Sequence, residues 1–245
     1  MAEGPGPVPV VMHPDEPHDR TDTAARLNWL RAGVLGAMDG IVSTAGLVIG
    51  VAGATSARGP ILTAGVAGLV AGAVSMALGE YVSVSSSRDS ERALLDQELA
   101  EIAADPGGEC AELAAIYRAK GLSADTAWLV ANELTGKDAF AAHADAELGI
   151  DPLALVDPGH AAAASAVAFA LGALLPLFAI LGLPAAWRVP GTFVVVLIAL
   201  AGAGAVAAAI GGARRTPAVL RIVLGGAAGM AFTFLVGRVL GATAL

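Results

Sequence analysis

The sequence predicts an all-α integral membrane protein with five transmembrane helices and a cytoplasmic three-helix insert between helices 2 and 3. Three observations predict it. Of the 245 residues, 56% are hydrophobic and only 15% charged, an unusual balance for a soluble domain. Five apolar stretches are each long enough to cross ~30 Å of hydrocarbon, which takes about 20 helical residues. One long segment between them is strongly acidic. The low aromatic content (4%) and 31 glycines suit helices that pack through small residues, as bilayer interiors favour.

Residues 1–26 hold five prolines, His13, His18 and several acids, with no apolar run preceded by positive charge. This reads as a disordered cytoplasmic arm without a cleavable signal peptide, its histidines exposed to solvent. Residues 27–84 carry the first two spans, Ala32 to Ala54 and Ile61 to Val84, joined by Thr55-Ser56-Ala57-Arg58-Gly59-Pro60. Residues 158–245 carry the other three, Ala161 to Leu183, Thr192 to Gly212 and Ala218 to Leu240. Their connections, Pro184 to Gly191 and Arg214-Arg215-Thr216-Pro217, are short, which implies antiparallel neighbours. Pro176 lies inside the third span, where its missing backbone donor predicts a bend.

Orientation follows from the basic residues, because cytoplasmic loops retain an excess of Lys and Arg. With the N-terminus inside, Arg20, Arg26, Arg31, Arg214, Arg215 and Arg221 face the cytoplasm, against Arg58, Arg188 and Arg238 on the far side.

Residues 85–157 form the acidic insert, with 15 of the 22 acidic residues against five basic ones, a formal charge of about −10. The whole chain carries −8, so the negative charge is concentrated here and argues against a nucleic-acid partner. Ser87 to Ala104 continues the second span without a breaker, and Asp105-Pro106-Gly107-Gly108 stops it. Glu109 to Lys120 reads as a second helix ended by Gly121. Ser123 caps a third that runs to about Leu148, with Gly149 as its stop and a possible break near Gly136. The single cysteine, Cys110, excludes an internal disulfide and any Cys-rich zinc site.

Two acidic residues lie within spans, where an unpaired charge costs at least ~2.5 kcal/mol and usually serves function. Asp39 is about one and a half turns into the first span, and Glu80 is near the cytoplasmic end of the second, with Met76 one turn before it on the same face. Two carboxylates and a thioether suit a borderline divalent metal, since soft sulfur discriminates against Mg²⁺ and Ca²⁺. The plainer alternatives are a Glu80 that snorkels to the interface and a Met76 that fills space. In the insert, Glu98 and Glu101 are three apart on one helix, Glu109 and Glu112 repeat the spacing on the next, and the third offers Glu133, Asp138, His143 and Glu147. Carboxylates with one imidazole suit Fe²⁺, Mn²⁺, Co²⁺ or Zn²⁺ without choosing strongly among them. On spacing alone the pattern is weak, and solvated helix faces explain such glutamates more often than not.

Met38-Asp39-Gly40-Ile41-Val42-Ser43-Thr44, Gly79-Glu80-Tyr81-Val82-Ser83-Val84 and Arg88-Asp89-Ser90-Glu91 together resemble the vacuolar iron transporter family, in its bacterial form. The resemblance runs from about Leu27 to Leu245 and includes Ala161 to Pro176. It implies a homodimer in a lipid bilayer that exchanges Fe²⁺ for H⁺, serving iron homeostasis, with the ion path between subunits. It also implies that Asp39, Met76 and Glu80 lie on that path, and that Glu98, Glu101, Glu109, Glu112 and Glu147 are metal ligands of the cytoplasmic domain. Where methionines are expected in plant relatives, this chain has His143 and Ala144, which leaves His143 a candidate ligand and the metal preference open. No prosthetic group is expected; Fe²⁺ is the expected cargo and bound ion, with Mn²⁺, Co²⁺ and Zn²⁺ as alternatives.

The expected function is therefore export of divalent metal from the cytoplasm by proton antiport, not an enzymatic activity. One rival is a sensor or scaffold that binds metal without moving it. The other is a membrane-anchored, ferritin-like di-iron oxidase. That chemistry typically needs two E-x-x-H motifs on a four-helix scaffold, and the nearest segment, Asp157-Pro158-Gly159-His160, contains helix breakers. The Ala- and Gly-rich composition and the lack of a targeting segment suggest a prokaryotic plasma membrane.

Overall fold

The computed structural model describes the chain from Arg20 to Thr243, and its side chains from Ala32 onward. His13 and His18 lie outside the described residues. All regular structure among the described residues is helical: α1 (Arg20–Ala54), α2 (Arg58–Ala104), α3 (Pro106–Ala119), α4 (Ala124–His143, continued by a π-helical turn Ala144–Leu148), α5 (Pro158–Gly182), α6 (Arg188–Ile210) and α7 (Arg215–Thr243). Five of them, α1 from Ala32, α2, α5, α6 and α7, are long and apolar enough to span a membrane. The chain is thus a multi-pass membrane protein. α1 begins at Arg20, ahead of the boundary that composition suggested at residue 26, because no breaker follows Pro17.

Helix α1 is the hub of the bundle, packing against α2, α5, α6 and α7. Glycine lets the backbones meet. A Cβ on Gly40 would strike the Phe169 carbonyl of α5, one on Gly172 the Ala37 carbonyl, and one on Gly237 of α7 the Gly50 carbonyl. Such close approach is how helices gain van der Waals contact where lipid removes the hydrophobic drive. Ile41, Val48, Ile49, Ile61, Leu177, Ile180, Val196, Leu200 and Met230 form the buried core of the span region. Arg188, expected in a loop, is 5% exposed at the start of α6. Its Nη1 donates to the Ser56 carbonyl at 2.7 Å and ties the α5–α6 turn to the α1–α2 turn.

Helix α2 runs unbroken for 47 residues, out of the span region and into the insert. The insert has the expected three-helix form, with one correction to its second helix. α3 starts at Pro106 rather than Glu109. Asp105 is an N-cap whose Oδ1 accepts from the Gly108 N–H at 2.9 Å, and proline suits the first helical position because its missing donor is not needed there. Asp157-Pro158 repeats the device at the start of α5, where Asp157 Oδ1 accepts from the His160 N–H at 2.8 Å. That hydrogen bond holds the Asp157 carboxyl below the usual range. Ser123 caps α4 through the Thr126 N–H, and Gly149, at φ 64°, closes the π turn in the left-handed region that favours glycine. The break in α4 falls at Asp138 (φ −164°, ψ 97°), two residues past Gly136. There Asp138 Oδ1 accepts from the Ala141 N–H at 3.0 Å and caps the following turns.

Candidate metal site

Three helices of the insert converge on one imidazole nitrogen. His143, at the end of α4, is 1% exposed, and its Nδ1 lies 2.9 Å from Glu98 Oε1 on α2 and 3.8 Å from Glu109 Oε2 on α3. Glu147, one turn on in the π segment, places Oε2 at 3.2 Å from the same nitrogen. A single Nδ1 carries at most one proton, so three carboxylates compete for one donor. Glu147 makes the aligned hydrogen bond, and Glu98 Oε1, buried and 2.9 Å away, has no hydrogen-bond partner. Leu113, Ala114, Cys110 and Ala131 pack α3 against α4 just behind the cluster, which fixes the side chains that face it.

The electrostatics are strained in a way a cation would relieve. Burial pushes the Glu98 carboxyl above its ordinary value, and Glu147, Glu109 and Glu101 push it further, against the pull of His143. Glu109 is raised by burial and then by Glu112. Ligand atoms of Glu98, Glu109 and His143 all lie within 4.8 Å of one another. Ligands at ~2.0–2.2 Å from one ion lie about 3–4.4 Å apart, so small inward shifts would close this set on a divalent transition metal. The orphaned Glu98 oxygen and the mixed N/O donors fit such an ion.

The other residues singled out in the insert fall elsewhere. Glu101 is exposed, and its Oε1 accepts from Gln97 Nε2. Glu112 is exposed beside Glu109, Glu133 is exposed, and Asp138 serves as a cap. Glu101 and Glu112 add charge around the cluster rather than atoms within it.

Within the span region, Asp39 and Met76 line one cleft of about 300 Å³ with Ser43, Thr44, Leu47, Gly68, Gly72, Ser75 and Phe169. Gly68 and Gly72 of α2 leave room for Leu47 of α1 and the Phe169 ring of α5, which sit where a Cβ would be. Glu80 is half-buried one turn beyond Met76 and does not line the cleft. The hydroxyls of Ser43, Thr44 and Ser75 were not anticipated. Ser43 and Thr44 stand in the motif that follows Asp39, and Ser75 directly precedes Met76, which was the available signal.

The model of the VIT family matches residues 30–238. The chain is 43% identical over 216 residues to a vacuolar iron transporter of Acanthamoeba castellanii, covering 88% of this chain and 80% of that protein. It is 38% identical over 218 residues to vacuolar iron transporter homolog 5 of Oryza sativa subsp. japonica, with 88% and 82% covered. With the VIT-like transporter 1b of Glycine max it shares 33% identity over 235 residues, with 94% and 84% covered.

Proposed function

The chain belongs to the VIT family, and from that premise we propose that it is an Fe²⁺/H⁺ exchanger that moves metal out of the cytoplasm. Transport of metal across a membrane is the family's function; the ion, its counter-ion and the path are our reading. The observation that carries it is the placement of Asp39 and Met76 on one cleft between α1, α2 and α5 within the spans. An acidic side chain there is costly unless it serves an ion, and the thioether favours a transition metal over Mg²⁺ or Ca²⁺.

The acidic insert gathers dilute Fe²⁺ by long-range attraction and holds it at Glu98, Glu109, His143 and Glu147, with Glu101 and Glu112 enlarging the field. The ion then passes Glu80 to Asp39 and Met76. Carboxylates that bind metal when ionised accept protons when it leaves, so H⁺ and M²⁺ compete for the same oxygens and a proton gradient drives exchange. Mn²⁺, Co²⁺ and Zn²⁺ fit the same donors, and His143 in the cluster favours their acceptance.

A homodimer is supported by two features. Asp39 is exposed on the single chain, whereas ionisable groups in a membrane face a protein interior or a water-filled cavity. Leu62, Val66, Val70, Val74 and Leu78 form an exposed apolar stripe along α2, on the face turned away from α1 and α5. A second subunit would cover the apolar stripe and bring the exposed Asp39 into a protein interior. We read the chain as a transporter and not an enzyme, since the metal cluster draws on one imidazole where di-iron sites of the ferritin type use two. The prokaryotic plasma membrane expected from composition finds no support in the relatives, two of the three being named as vacuolar. Either membrane has the same topology for removal of metal from the cytoplasm.

Asp39→Asn, reconstituted in proteoliposomes, tests the path: metal uptake should fall to background while the protein still elutes as the wild-type assembly. Proton-dependent uptake by that variant would remove Asp39 from the mechanism.

A further inference from the structure

The segment that carries His143 and Glu147 is a short helix of its own. Asp138 breaks α4 and caps the turns that follow, and Gly149 ends them in the left-handed region. About ten residues are too few to hold a helix alone. The last turn, Ala144–Leu148, is π-helical, a form found mostly as single turns and often at functional sites. Carbonyls of a last turn lack partners within their helix. Here the Ala146 carbonyl accepts from Nζ of Lys120, at the C-terminal end of α3, at 3.1 Å. The same ammonium lies 5.2 Å from the centre of the Tyr117 ring, close enough for cation–π attraction. Tyr117 in turn packs with Ala142 and Ala146 on the core of Cys110, Leu113, Ala114 and Ala131. Outside the cluster itself, the Lys120 contact is the one side-chain hydrogen bond among the described residues that reaches this segment from another helix.

Of the four side chains in the cluster, Glu147 depends most on how this segment is held. The side chains of His143, Glu98 and Glu109 are 1%, 3% and 16% exposed, whereas that of Glu147 is 31% exposed, so packing fixes the first three more closely. We propose that Lys120 is a positioning residue of the metal cluster, its ammonium pinning the π turn so that Glu147 stays within reach of an ion bound beside His143. Released from Lys120, the turn carries Glu147 toward solvent and leaves the ion the other three ligands. A bare charge would act with the opposite sign. A fixed cation beside the site opposes a second cation, so removing it would strengthen metal binding, whereas removing a pin weakens it. Lys120 is also not among the charges that move the Glu98 and Glu109 carboxyls. The inference rests on the metal-site reading given above.

The test is calorimetric titration of the full chain with Co²⁺, with the visible absorption of the bound ion and melting in chelator recorded alongside. Lys120→Met keeps an apolar stem and, at an exposed position, should fold as wild type. It should bind Co²⁺ about three- to tenfold more weakly, the size of one net hydrogen bond. Lys120→Arg, which donates to the same carbonyl and stacks on the same ring, should stay within about twofold of wild type. Residues that act through a shared contact are non-additive. Glu147→Gln should therefore cost several-fold less affinity in the Lys120→Met background than in wild type, while Glu98→Gln costs the same in both. The Co²⁺ spectrum of Lys120→Met should move toward that of Glu147→Gln. Unchanged or tighter binding by Lys120→Met, equal impairment of Lys120→Arg, or a Glu147→Gln cost that is the same in both backgrounds would overturn the proposal. If methionine lowers the melting temperature, the same comparison decides, since a general loss changes the Glu98→Gln and Glu147→Gln costs alike and a lost position changes that of Glu147→Gln alone. Failure of wild type to bind Co²⁺ would overturn the metal-site reading itself, and Lys120's role with it.

Discussion

Replacing Glu98 by Gln separates a metal site from a structural ion pair, because the two accounts predict opposite signs. Glu98 is 2% exposed, and its ligand atom lies within 4.8 Å of that of Glu109. Two negative charges at that spacing repel by ~3 kcal/mol at an effective dielectric of ~20. Burial and Glu147 each oppose the Glu98 charge more than His143 favours it, and Glu109 and Glu101 add to them, so in chelator Glu98→Gln should melt at or above the wild-type temperature. Had Glu98 served to pair with a buried imidazolium, removing it would cost ~3–5 kcal/mol. The metal account also predicts weaker binding. Outer-shell changes around a metal cost ~10–100-fold in affinity, and a direct carboxylate should reach the upper end, ~100-fold or ~2.7 kcal/mol. Calorimetric titration of the full chain with Co²⁺, next to melting in chelator, measures both. Wild-type Co²⁺ affinity in a variant that melts several degrees lower would refute the reasoning.

Further outcomes follow from the same structure. Glu101→Gln and Glu112→Gln should each change Co²⁺ affinity less than about threefold, because exposed charges act only through a screened field; losses equal to that of Glu98→Gln would put them inside the site. The raised Glu98 and Glu109 carboxyls bind protons more tightly in the folded protein than in the unfolded chain. Metal-free stability from them is therefore full below the ordinary value of 4.5 and lost as pH rises through the raised values. Co²⁺ affinity should strengthen over the same window as metal displaces those protons, and melting with and without Co²⁺ across that range tests the sign of each. Gly40→Ala should lower the melting temperature in detergent, since its Cβ meets the Phe169 carbonyl and overpacking costs ~1–3 kcal/mol or more. Gly136→Ala, which meets nothing within 4 Å, should raise it by the equivalent of ~0.4–1 kcal/mol.

The five spans were legible because apolar length alone identifies them; each predicted stretch falls on one of α1, α2, α5, α6 and α7. The three-helix insert was legible from Ser123, Gly121 and Gly149, whose capping chemistry is local. Asp105-Pro106-Gly107-Gly108 misled at the start of α3, since Pro and Gly after an Asp spell both a stop and an N-cap with proline at the first position, and only the Gly108 N–H bond decides. Residues three apart on a helix diverge by ~60° in azimuth, so when Glu98 and Glu109 face the cluster, Glu101 and Glu112 swing to solvent. The sequence does not say which member of each pair faces in. His143 was a candidate through its i, i+4 relation to Glu147, but its burial depends on α2, α3 and α4 meeting, which no local spacing encodes. Likewise Arg188 reads as a loop cation until the Ser56 carbonyl is seen beside it.

The central claim is exchange of metal for protons through the membrane. Purified protein in liposomes with a trapped metal-sensitive fluorophore, given Fe²⁺, Mn²⁺, Co²⁺, Zn²⁺ or Ca²⁺ with and without an imposed pH gradient, tests it most directly. The account predicts Fe²⁺ uptake that rises with the gradient and no uptake of Ca²⁺; metal binding without uptake under any gradient would contradict it.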